Sequence, residues 1–383
     1  MADRQTVTKG NGVGYKEFAQ TAATPVKHIL NPGLVRPQSQ KSNPRSASLL
    51  WLDKNENLDP ELLAFNESIL RDLPPLNLAT YPEPAALYQK LANWLDVSPD
   101  GLILTPGSDG AIRLTFEVFV SAGDKVAHTL PTFAMYPVYC QMFGAQAEPI
   151  TYERGDCGPT LTVEKILAHL RSIKPRLFCL PNPDSPTGTV LSLDELRAIV
   201  ELCVSLDTVV LIDEAYHPFY APTCVPWTRE CRHLVVARTF AKAWGLAGLR
   251  IGYAVGHPDT IRYFNKMRPM YELGTLSIAF MERMMDHADK MEASVKRLLD
   301  GKQYFIDEMT ALGFQVPQTH GNFQHVAFGD RADAIHRGLE NIVLYRKNFN
   351  ESCLSGFSRF SCATRQTVDP IVQAIKQAAG GAS

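Results

Sequence analysis

The sequence lacks the features that mark membrane-spanning, secreted and nucleic-acid-binding proteins. Its 383 residues contain no apolar run of about 18 residues and no apolar signal core at the N-terminus, so we expect neither a membrane span nor a secretory signal. The formal net charge of −2 gives no electrostatic reason to expect nucleic acid or an anionic membrane as a partner. The eight cysteines are scattered and form no C-x-x-C pair. This spacing predicts reduced thiols in a cytoplasmic protein without a metal site.

What remains is an ordinary globular composition, with 45% apolar and 20% charged residues. The length suffices for one large domain and a smaller one. Residues 1–30 are polar and contain "GNGVGY", which resembles a glycine-rich nucleotide loop. Because no apolar strand precedes this segment, we interpret residues 1–30 as a flexible N-terminal arm, with a short helix predicted around residues 15–22.

Between about residues 85 and 260, short apolar runs alternate with helical patterns. The segment "AALYQKLANWL" is amphipathic, with Leu87 and Leu91 on one face. Runs such as "KVAHTL", "RLFCLP", "VVLIDEAY" and "HLVVARTF" predict strands. This alternation is typical of an α/β fold, in which a mostly parallel sheet lies between helices. Ligands of such sheets bind at the carboxyl ends of the strands.

Polar residues follow several of these predicted strands. Gly107, Ser108 and Asp109 open a helix, where free backbone N–H groups and the helix dipole favour an anion. Asp213 ends an apolar strand and therefore calls for a cationic partner. Lys242 lies among Phe, Ala and Trp, which predicts the depressed pKa that a Schiff-base nucleophile needs. Each feature alone is equally explained as a cap or a surface charge, but their order on successive strands favours one ligand site.

Several motifs together resemble the fold-type I pyridoxal-phosphate aminotransferases of class I/II, specifically the histidinol-phosphate aminotransferase branch. They are "RTFAKAWGLAGLRIGY", "NPDSPTG", "DEAY", "LDKNEN", "YPEP" and "PTFAMYPVY", and the match runs in register over residues 51–365. The resemblance implies a large cofactor-binding domain over residues 78–275. It also implies a smaller α+β domain built from residues 31–77 and 285–383, reached through a long helix that begins near residue 280. Such enzymes are commonly homodimers.

The resemblance further implies pyridoxal 5′-phosphate as the cofactor, which acts as an electron sink. Lys242 would form the Schiff base and move a proton, Asp213 would pair with the pyridine nitrogen, and Tyr216 would donate to the phenolic O3′. Phe133 would stack on the ring, although a core aromatic explains it as well. The complete set predicted to bind the cofactor is Gly107, Ser108, Asp109, Phe133, Ser185, Asp213, Tyr216, Thr239, Lys242 and Arg250.

Four residues are assigned by the resemblance to the substrate: Arg359, Arg346, Glu272 and Asn57. Arg359, in "SRFSCATR", matches the arginine that holds the substrate α-carboxylate. Arg346, in "VLYRK", matches an arginine that often reads the phosphate of histidinol phosphate. Glu272 stands where many relatives carry Asn and would repel a phosphate if it lined the pocket. A solvated charge at a helix start explains Glu272 equally well.

Besides Glu272, the sequence departs from the family pattern at three further places. Ser185 stands where relatives carry an Asn that donates to O3′, and Ser is shorter by about one bond, roughly 1.5 Å. Ala241 replaces a frequent Ser, which leaves Thr239 as the hydroxyl for the phosphate. The usual "NENPY" reads "NENLDP", so the Tyr that reaches the partner subunit's cofactor is missing.

We therefore predict a cytoplasmic aminotransferase that moves an amino group between an amino acid, or an amino alcohol phosphate, and a 2-oxo acid. Three alternatives stay open. The scaffold also carries decarboxylases of the threonine-phosphate type, and it has been borrowed by non-catalytic cofactor-binding regulators. A plain doubly wound nucleotide-binding protein would share the alternation of strands and helices.

Overall fold

A computed structural model describes residues 44–380 of the chain. The predicted N-terminal arm, including the helix expected around residues 15–22, lies outside the described residues. The part of the fold that bears on function is a central sheet with helices on both faces. The division into a large and a small domain stays a prediction.

Thirteen strands occur within residues 44–380. They are β1 (Leu50–Trp51), β2 (Leu102–Thr105), β3 (Lys125–Leu130), β4 (Gln146–Thr151), β5 (Glu153–Gly155), β6 (Gly158–Thr160), β7 (Leu177–Pro181), β8 (Val209–Asp213), β9 (Leu234–Thr239), β10 (Gly252–Gly256), β11 (Phe323–Ala327), β12 (Val343–Leu344) and β13 (Phe357–Ser361).

Eleven α-helices occur in the same range. They are α1 (Pro60–Arg71), α2 (Ala85–Leu95), α3 (Gly107–Phe119), α4 (Met135–Met142), α5 (Val163–Ile173), α6 (Leu193–Ser205), α7 (Pro258–Met267), α8 (Thr275–Met284), α9 (Ala288–Ala311), α10 (Ala332–Gly338) and α11 (Arg365–Gly380).

Seven strands form the central sheet in the order β2-β10-β9-β8-β7-β3-β4. Every neighbouring pair is parallel except the two made by β10, which runs antiparallel to β2 and β9. Strands β7, β8, β9 and β10 are buried along their whole length, because helices cover both faces with apolar side chains. The predicted α/β fold with a mostly parallel sheet is therefore confirmed.

A buried ion pair lies near the carboxyl edge of the sheet. The guanidinium of Arg238, in β9, donates two hydrogen bonds to Glu214, at 2.8 and 3.0 Å, and a third to Thr223. Both charged side chains are at most 5% exposed. Because a buried charge without its partner is strongly unfavourable, each residue depends on the other.

The C-terminal part of the chain forms a second apolar core around the antiparallel pair β11 and β13, packed against α9, α10 and α11. The long helix predicted to begin near residue 280 is interrupted, since a 3-10 turn at Met285–His287 separates α8 from α9. On α9, Leu298 is fully buried while its neighbour Leu299 is exposed.

Within residues 44–380, no helix combines the length and apolarity needed to cross a bilayer. All eight cysteines fall in this range and are unpaired, and six of them are buried. The same residues contain no group of three His, Cys, Asp or Glu side chains arranged to hold a metal ion.

Candidate active site

A cavity of about 550 Å³ lies at the carboxyl edge of the central sheet. Its walls come from the turns after β2, β3, β7, β8 and β9, together with residues 53–56 and the segment that precedes β13. Eleven residues predicted for the site line this one cavity: Ser108, Asp109, Phe133, Ser185, Asp213, Tyr216, Thr239, Lys242, Arg250, Arg346 and Arg359.

Lys242 follows β9 and directs its amine into the cavity. Its Nζ donates to the carbonyl oxygens of Lys54 and Asn55, each at 3.0 Å. Burial lowers the pKa of Lys242 to about 8, and the positive charge of Arg359 adds to this effect. No carboxylate lies within ion-pairing distance of Lys242 among the residues described, so the amine loses its proton readily and is suited to act as a nucleophile or a base.

Asp213 is the last residue of β8 and is almost fully buried. Its carboxylate accepts a hydrogen bond from the hydroxyl of Tyr136 at 3.0 Å and another from the backbone N–H of Ala215 at 3.0 Å. Burial raises the pKa of Asp213 to about 6, although the bond from Tyr136 opposes the rise. A cationic group placed against this carboxylate would be strongly favoured.

Tyr216, Ser185 and Asn55 form a hydrogen-bonded chain on one wall of the cavity. The hydroxyl of Tyr216 donates to Ser185 Oγ at 3.2 Å and accepts from Asn55 Nδ2 at 2.9 Å. Asn182, three residues before Ser185, instead bonds both its side-chain groups to the backbone of Leu191. Ser185 therefore faces the cavity, while Asn182 fixes the turn.

The N-terminus of α3 and Arg250 face the opposite end of the cavity. Arg250 adopts a left-handed backbone conformation, with φ +48°, and its guanidinium lies against Gly107. Gly107 has φ +75°, which favours glycine, and a Cβ atom added there would lie 2.6 Å from Arg250 Nη2 and displace the guanidinium. Within residues 44–380 the guanidinium donates only to the carbonyl oxygens of Ala247 and Pro106, and it keeps N–H groups for an anion.

Phe133 lies at the cavity wall after β3. Its ring packs edge-to-face on Tyr136, with centroids 5.9 Å apart, and it is only partly buried. Because Tyr136 also donates to Asp213, the ring of Phe133 stands close to the buried carboxylate. As a partly buried residue of the cavity wall, Phe133 is available to contact a bound aromatic ring.

Arg359 and Arg346 approach the cavity from a different part of the chain. Their backbones pair through two hydrogen bonds, at 3.0 and 2.8 Å, so the two residues lie side by side. Arg359 is 8% exposed and donates to the carbonyl of Asp53 at 3.0 Å, and its Nε has no hydrogen-bond partner. A buried guanidinium with unfilled donors is suited to bind a carboxylate.

Two residues assigned to the substrate do not line this cavity. Asn57 is buried and donates to the carbonyl of Ala243 at 2.8 Å and to Ser294 Oγ at 3.0 Å, so it ties chain segments together. Glu272 lies in the α7–α8 connection near Arg268, where burial raises the pKa of its carboxyl. Neither side chain is among the walls of this cavity, and their substrate roles stay predictions.

Sequence reasoning missed three residues that the structure brings to the site. Asn55 faces the cavity in place of Asn57, and its left-handed backbone, with φ +55°, turns the side chain toward Tyr216. Tyr136 supports Asp213, and Glu351 lines the cavity beside Arg346. The "NENL" motif could have indicated Asn55, whereas Glu351 lies in a loop without any recognisable pattern.

These side chains fit pyridoxal 5′-phosphate on their own chemistry. The buried carboxylate of Asp213 has no cationic partner among the described residues, and a protonated pyridine nitrogen would supply one. Arg250 and the N-terminus of α3 suit a phosphate group, and Lys242 offers an amine with a lowered pKa. A second groove of about 670 Å³, lined by Arg197 and Trp227, contains none of these groups.

Comparison with known proteins agrees with this geometry. The family described as aminotransferase class I and II matches residues 47–375. A histidinol-phosphate aminotransferase from Caldanaerobacter subterraneus subsp. tengcongensis is 30% identical over 305 residues, which cover 79% of this chain and 85% of that protein. One from a Thermoanaerobacter species is 32% identical over 301 residues, with 78% and 84% coverage.

The fold is similar to that of solved aminotransferases. The histidinol-phosphate aminotransferase from Sinorhizobium meliloti, whose crystal structure contains pyridoxal-5′-phosphate, superposes with a TM-score of 0.77 at 22% identity. The alignment covers 95% of this chain and all of that one. These findings confirm the family, the fold, the enzyme class and the cofactor predicted from the sequence. The chain therefore belongs to the class I and II aminotransferase family and is a pyridoxal-phosphate-dependent transaminase, similar to the histidinol-phosphate aminotransferases.

Proposed function

We propose that this enzyme transfers an amino group from an amino acid, or an amino alcohol phosphate, to a 2-oxo acid, with the residues of the described cavity in specific roles. The observation that carries the proposal is the convergence of Lys242, Asp213 and Arg359 on one cavity. An amine, a buried carboxylate and a buried guanidinium are the three groups needed to attach the cofactor, to hold its ring nitrogen and to receive a substrate carboxylate.

The cofactor would be held at both ends. Arg250, Thr239 and the N-terminus of α3, with Ser108 and Asp109, would bind its phosphate, and Gly107 leaves room for the guanidinium. Asp213 would pair with the protonated ring nitrogen. Tyr216 would donate to the phenolic oxygen, with Ser185 and Asn55 bonded to the same hydroxyl. Phe133 would stack on the ring face.

Bound pyridoxal phosphate supplies an electron sink for the bonds at the substrate Cα. Lys242 would be the point of covalent attachment, and its Nζ would then take up and deliver the proton at the substrate Cα. A pKa of about 8 suits this task, because the free amine is present near neutral pH and remains basic enough to accept a proton.

The substrate would bind through its carboxylate. The Nε of Arg359 has no partner among the described residues, so it can donate to a carboxylate. Arg359 also lies close enough to Lys242 for its charge to lower the pKa of the lysine. A substrate carboxylate bound by Arg359 would therefore place the adjacent Cα near the Nζ of Lys242. Arg346 lies beside it and would contact the rest of the substrate. Histidinol phosphate is one candidate amino donor, since the similar proteins bear its name.

The decisive experiment is a half-reaction screen of the purified, cofactor-loaded protein. Single amino donors (glutamate, histidine, arginine, aromatic and phosphorylated donors) are added while the visible absorbance of the cofactor is followed. We expect at least one donor to remove the band and a 2-oxo acid to restore it, with no conversion by Lys242→Ala. Release of CO2 without a requirement for a 2-oxo acid would identify a decarboxylase instead, and no response to any donor would favour a non-catalytic regulator.

The enzyme would act as a homodimer in the cytoplasm. An apolar patch supports the dimer: Leu78, Tyr81 and Met270 are 74%, 74% and 80% exposed, and the rings of Tyr81 and Tyr271 stack at 4.4 Å. Exposed apolar patches of this kind mark protein–protein contacts. The eight unpaired cysteines suit a reducing compartment.

Light scattering of the purified protein tests the dimer. We expect twice the chain mass for the wild type and a shift toward the monomer for Leu78→Glu combined with Met270→Glu. Leu299→Glu, which adds a charge at an exposed leucine on another surface, serves as the control. A wild-type protein that runs as a monomer at all concentrations would refute the dimer.

A further inference from the structure

Beside the two substrate-facing arginines, the cavity contains a carboxylate, Glu351, that none of the assigned roles uses. Arg346 and Arg359 are paired through their backbones, and Glu351 lies in the loop that joins them. The wall that faces the substrate side chain therefore carries both a positive and a negative group.

Glu351 is incompletely paired. Its Oε2 is shielded from solvent and makes no hydrogen bond within the described residues, and the nearest cationic atom is Arg346 Nη2 at 3.8 Å. That distance permits attraction but is too long for a hydrogen bond. A carboxylate oxygen that is removed from water without a donor is unfavourable. Because the Glu351 side chain as a whole is 34% exposed, a small rotation of the carboxylate would bring it to a ligand N–H group in the cavity.

Arg346 is held by contacts other than Glu351. Its guanidinium lies 4.0 Å from the ring centroid of Phe349, and its Nε donates to the carbonyl of Asn348 at 3.4 Å. These contacts hold the guanidinium over the ring of Phe349, at a distance from Glu351. A phosphate that approached Arg346 would meet the negative charge of Glu351 within a few ångströms and would be repelled.

We infer that Glu351 determines substrate specificity: it selects amino donors whose side chain ends in a nitrogen donor or cation, such as an amine, a guanidinium or an imidazolium, over phosphorylated donors. The inference rests on the proposed transamination and narrows its substrate class. Among the acidic residues that line the cavity, Glu351 is the one that lies beside Arg346 in an ion pair, at 3.8 Å.

The test compares two carboxylates that cannot transaminate, 4-guanidinobutyrate and 3-phosphoglycerate, by calorimetric titration of the cofactor-loaded protein. Each offers a carboxylate to Arg359, and they differ in the charge of the distal group. We expect wild type to bind 4-guanidinobutyrate more tightly than 3-phosphoglycerate. Glu351→Gln should reduce the ratio of the two affinities at least about tenfold, because the guanidine compound loses a hydrogen bond to a charged group and the phosphate compound is no longer repelled. Arg346→Gln should shift the preference the other way.

Glu340→Gln is the matched control, since it removes a carboxylate from an exposed position outside the cavity and should leave the preference unchanged. An equal effect of Glu351→Gln on both ligands, or no effect, would overturn the inference.

A parallel half-reaction series with arginine, histidine and histidinol phosphate separates the two hypotheses. If wild type converts none of these or any other donor, the proposed function fails. If wild type converts donors and their ranking is the same in Glu351→Gln, only the role of Glu351 fails.

Discussion

Replacing Lys242 with methionine should stabilise the cofactor-free protein at neutral pH. In the folded protein, burial and the charge of Arg359 lower the pKa of this lysine from 10.5 to about 8. The unfolded chain therefore binds the proton more tightly than the folded one. Below about pH 8 the folded protein carries an unfavourable buried charge, and this cost disappears as the pH rises toward 10.5.

The size of the effect follows from this difference in proton affinity. A fall of the pKa from 10.5 to about 8 corresponds to about 3 kcal/mol of unfolding free energy, at about 1.4 kcal/mol for each tenfold change in affinity. The amine keeps some access to solvent through the cavity, which reduces the cost of its charge. We therefore expect the free energy of unfolding of the wild type to rise by about 1 to 2.5 kcal/mol between about pH 7 and pH 10. Methionine also loses the two bonds to Lys54 and Asn55, which subtracts about 1 kcal/mol at every pH.

Urea unfolding of the cofactor-free proteins between about pH 7 and pH 10 measures this difference. The advantage of Lys242→Met over wild type should be largest at the low end and should fall steadily as the pH rises. Lys296→Met, at an exposed position of α9, is the control and should show no such trend. A difference between Lys242→Met and wild type that stays constant with pH would refute the lowered pKa.

Three further predictions concern other parts of the structure. Ser185→Asn, by adding a donor beside Tyr216, should lower the midpoint of the absorbance titration of the bound cofactor by about 0.5 to 1 pH unit, as one neutral hydrogen bond provides. An unchanged midpoint would mean that residue 185 does not face the phenolic oxygen. Asn57→Ala should lower the free energy of unfolding, measured with urea, by about 1–3 kcal/mol, because two buried hydrogen bonds are lost. The KM of the amino donor should stay within about twofold of the wild-type value. A rise in KM without a loss of stability would show that Asn57 binds the substrate. Arg238→Leu leaves Glu214 buried and unpaired, so it should lower the free energy of unfolding by about 3–5 kcal/mol, measured by calorimetry. Adding Glu214→Leu to the same chain should recover part of the lost stability. A loss below about 1 kcal/mol for Arg238→Leu would contradict the prediction.

The central sheet was predictable because its inner strands are apolar on both faces. The runs that contain β7, β8 and β9 are buried throughout, and a continuous apolar run is the pattern that a covered parallel strand requires. Strand β4 escaped notice because "QAEPIT" lies at the sheet edge, where most of its side chains meet solvent. The turn at Met285–His287 contains no Pro or Gly, so the sequence did not predict the break between α8 and α9.

Site residues were predictable where a strand end supplies them. Asp213 and Lys242 follow apolar runs, so their residue types stand out from their surroundings. Asn55 and Glu351 come from loops that reach the cavity from outside the central sheet, so no strand end of that sheet marks them in the sequence. Asn55, which lines the cavity, has a left-handed backbone that alternation along the sequence does not reveal.

The three consecutive residues 53–55 have one further consequence. The carbonyl of Asp53 holds Arg359, and the next two carbonyls hold Lys242, so the substrate arginine and the reactive lysine rest on neighbouring peptide groups. Arg359 also lowers the pKa of Lys242 by its charge. A carboxylate that neutralises Arg359 must therefore raise the proton affinity of Lys242, and by reciprocity protonation of Lys242 must tighten carboxylate binding. In the cofactor-free protein, docking of the carboxylate and uptake of a proton are one linked equilibrium.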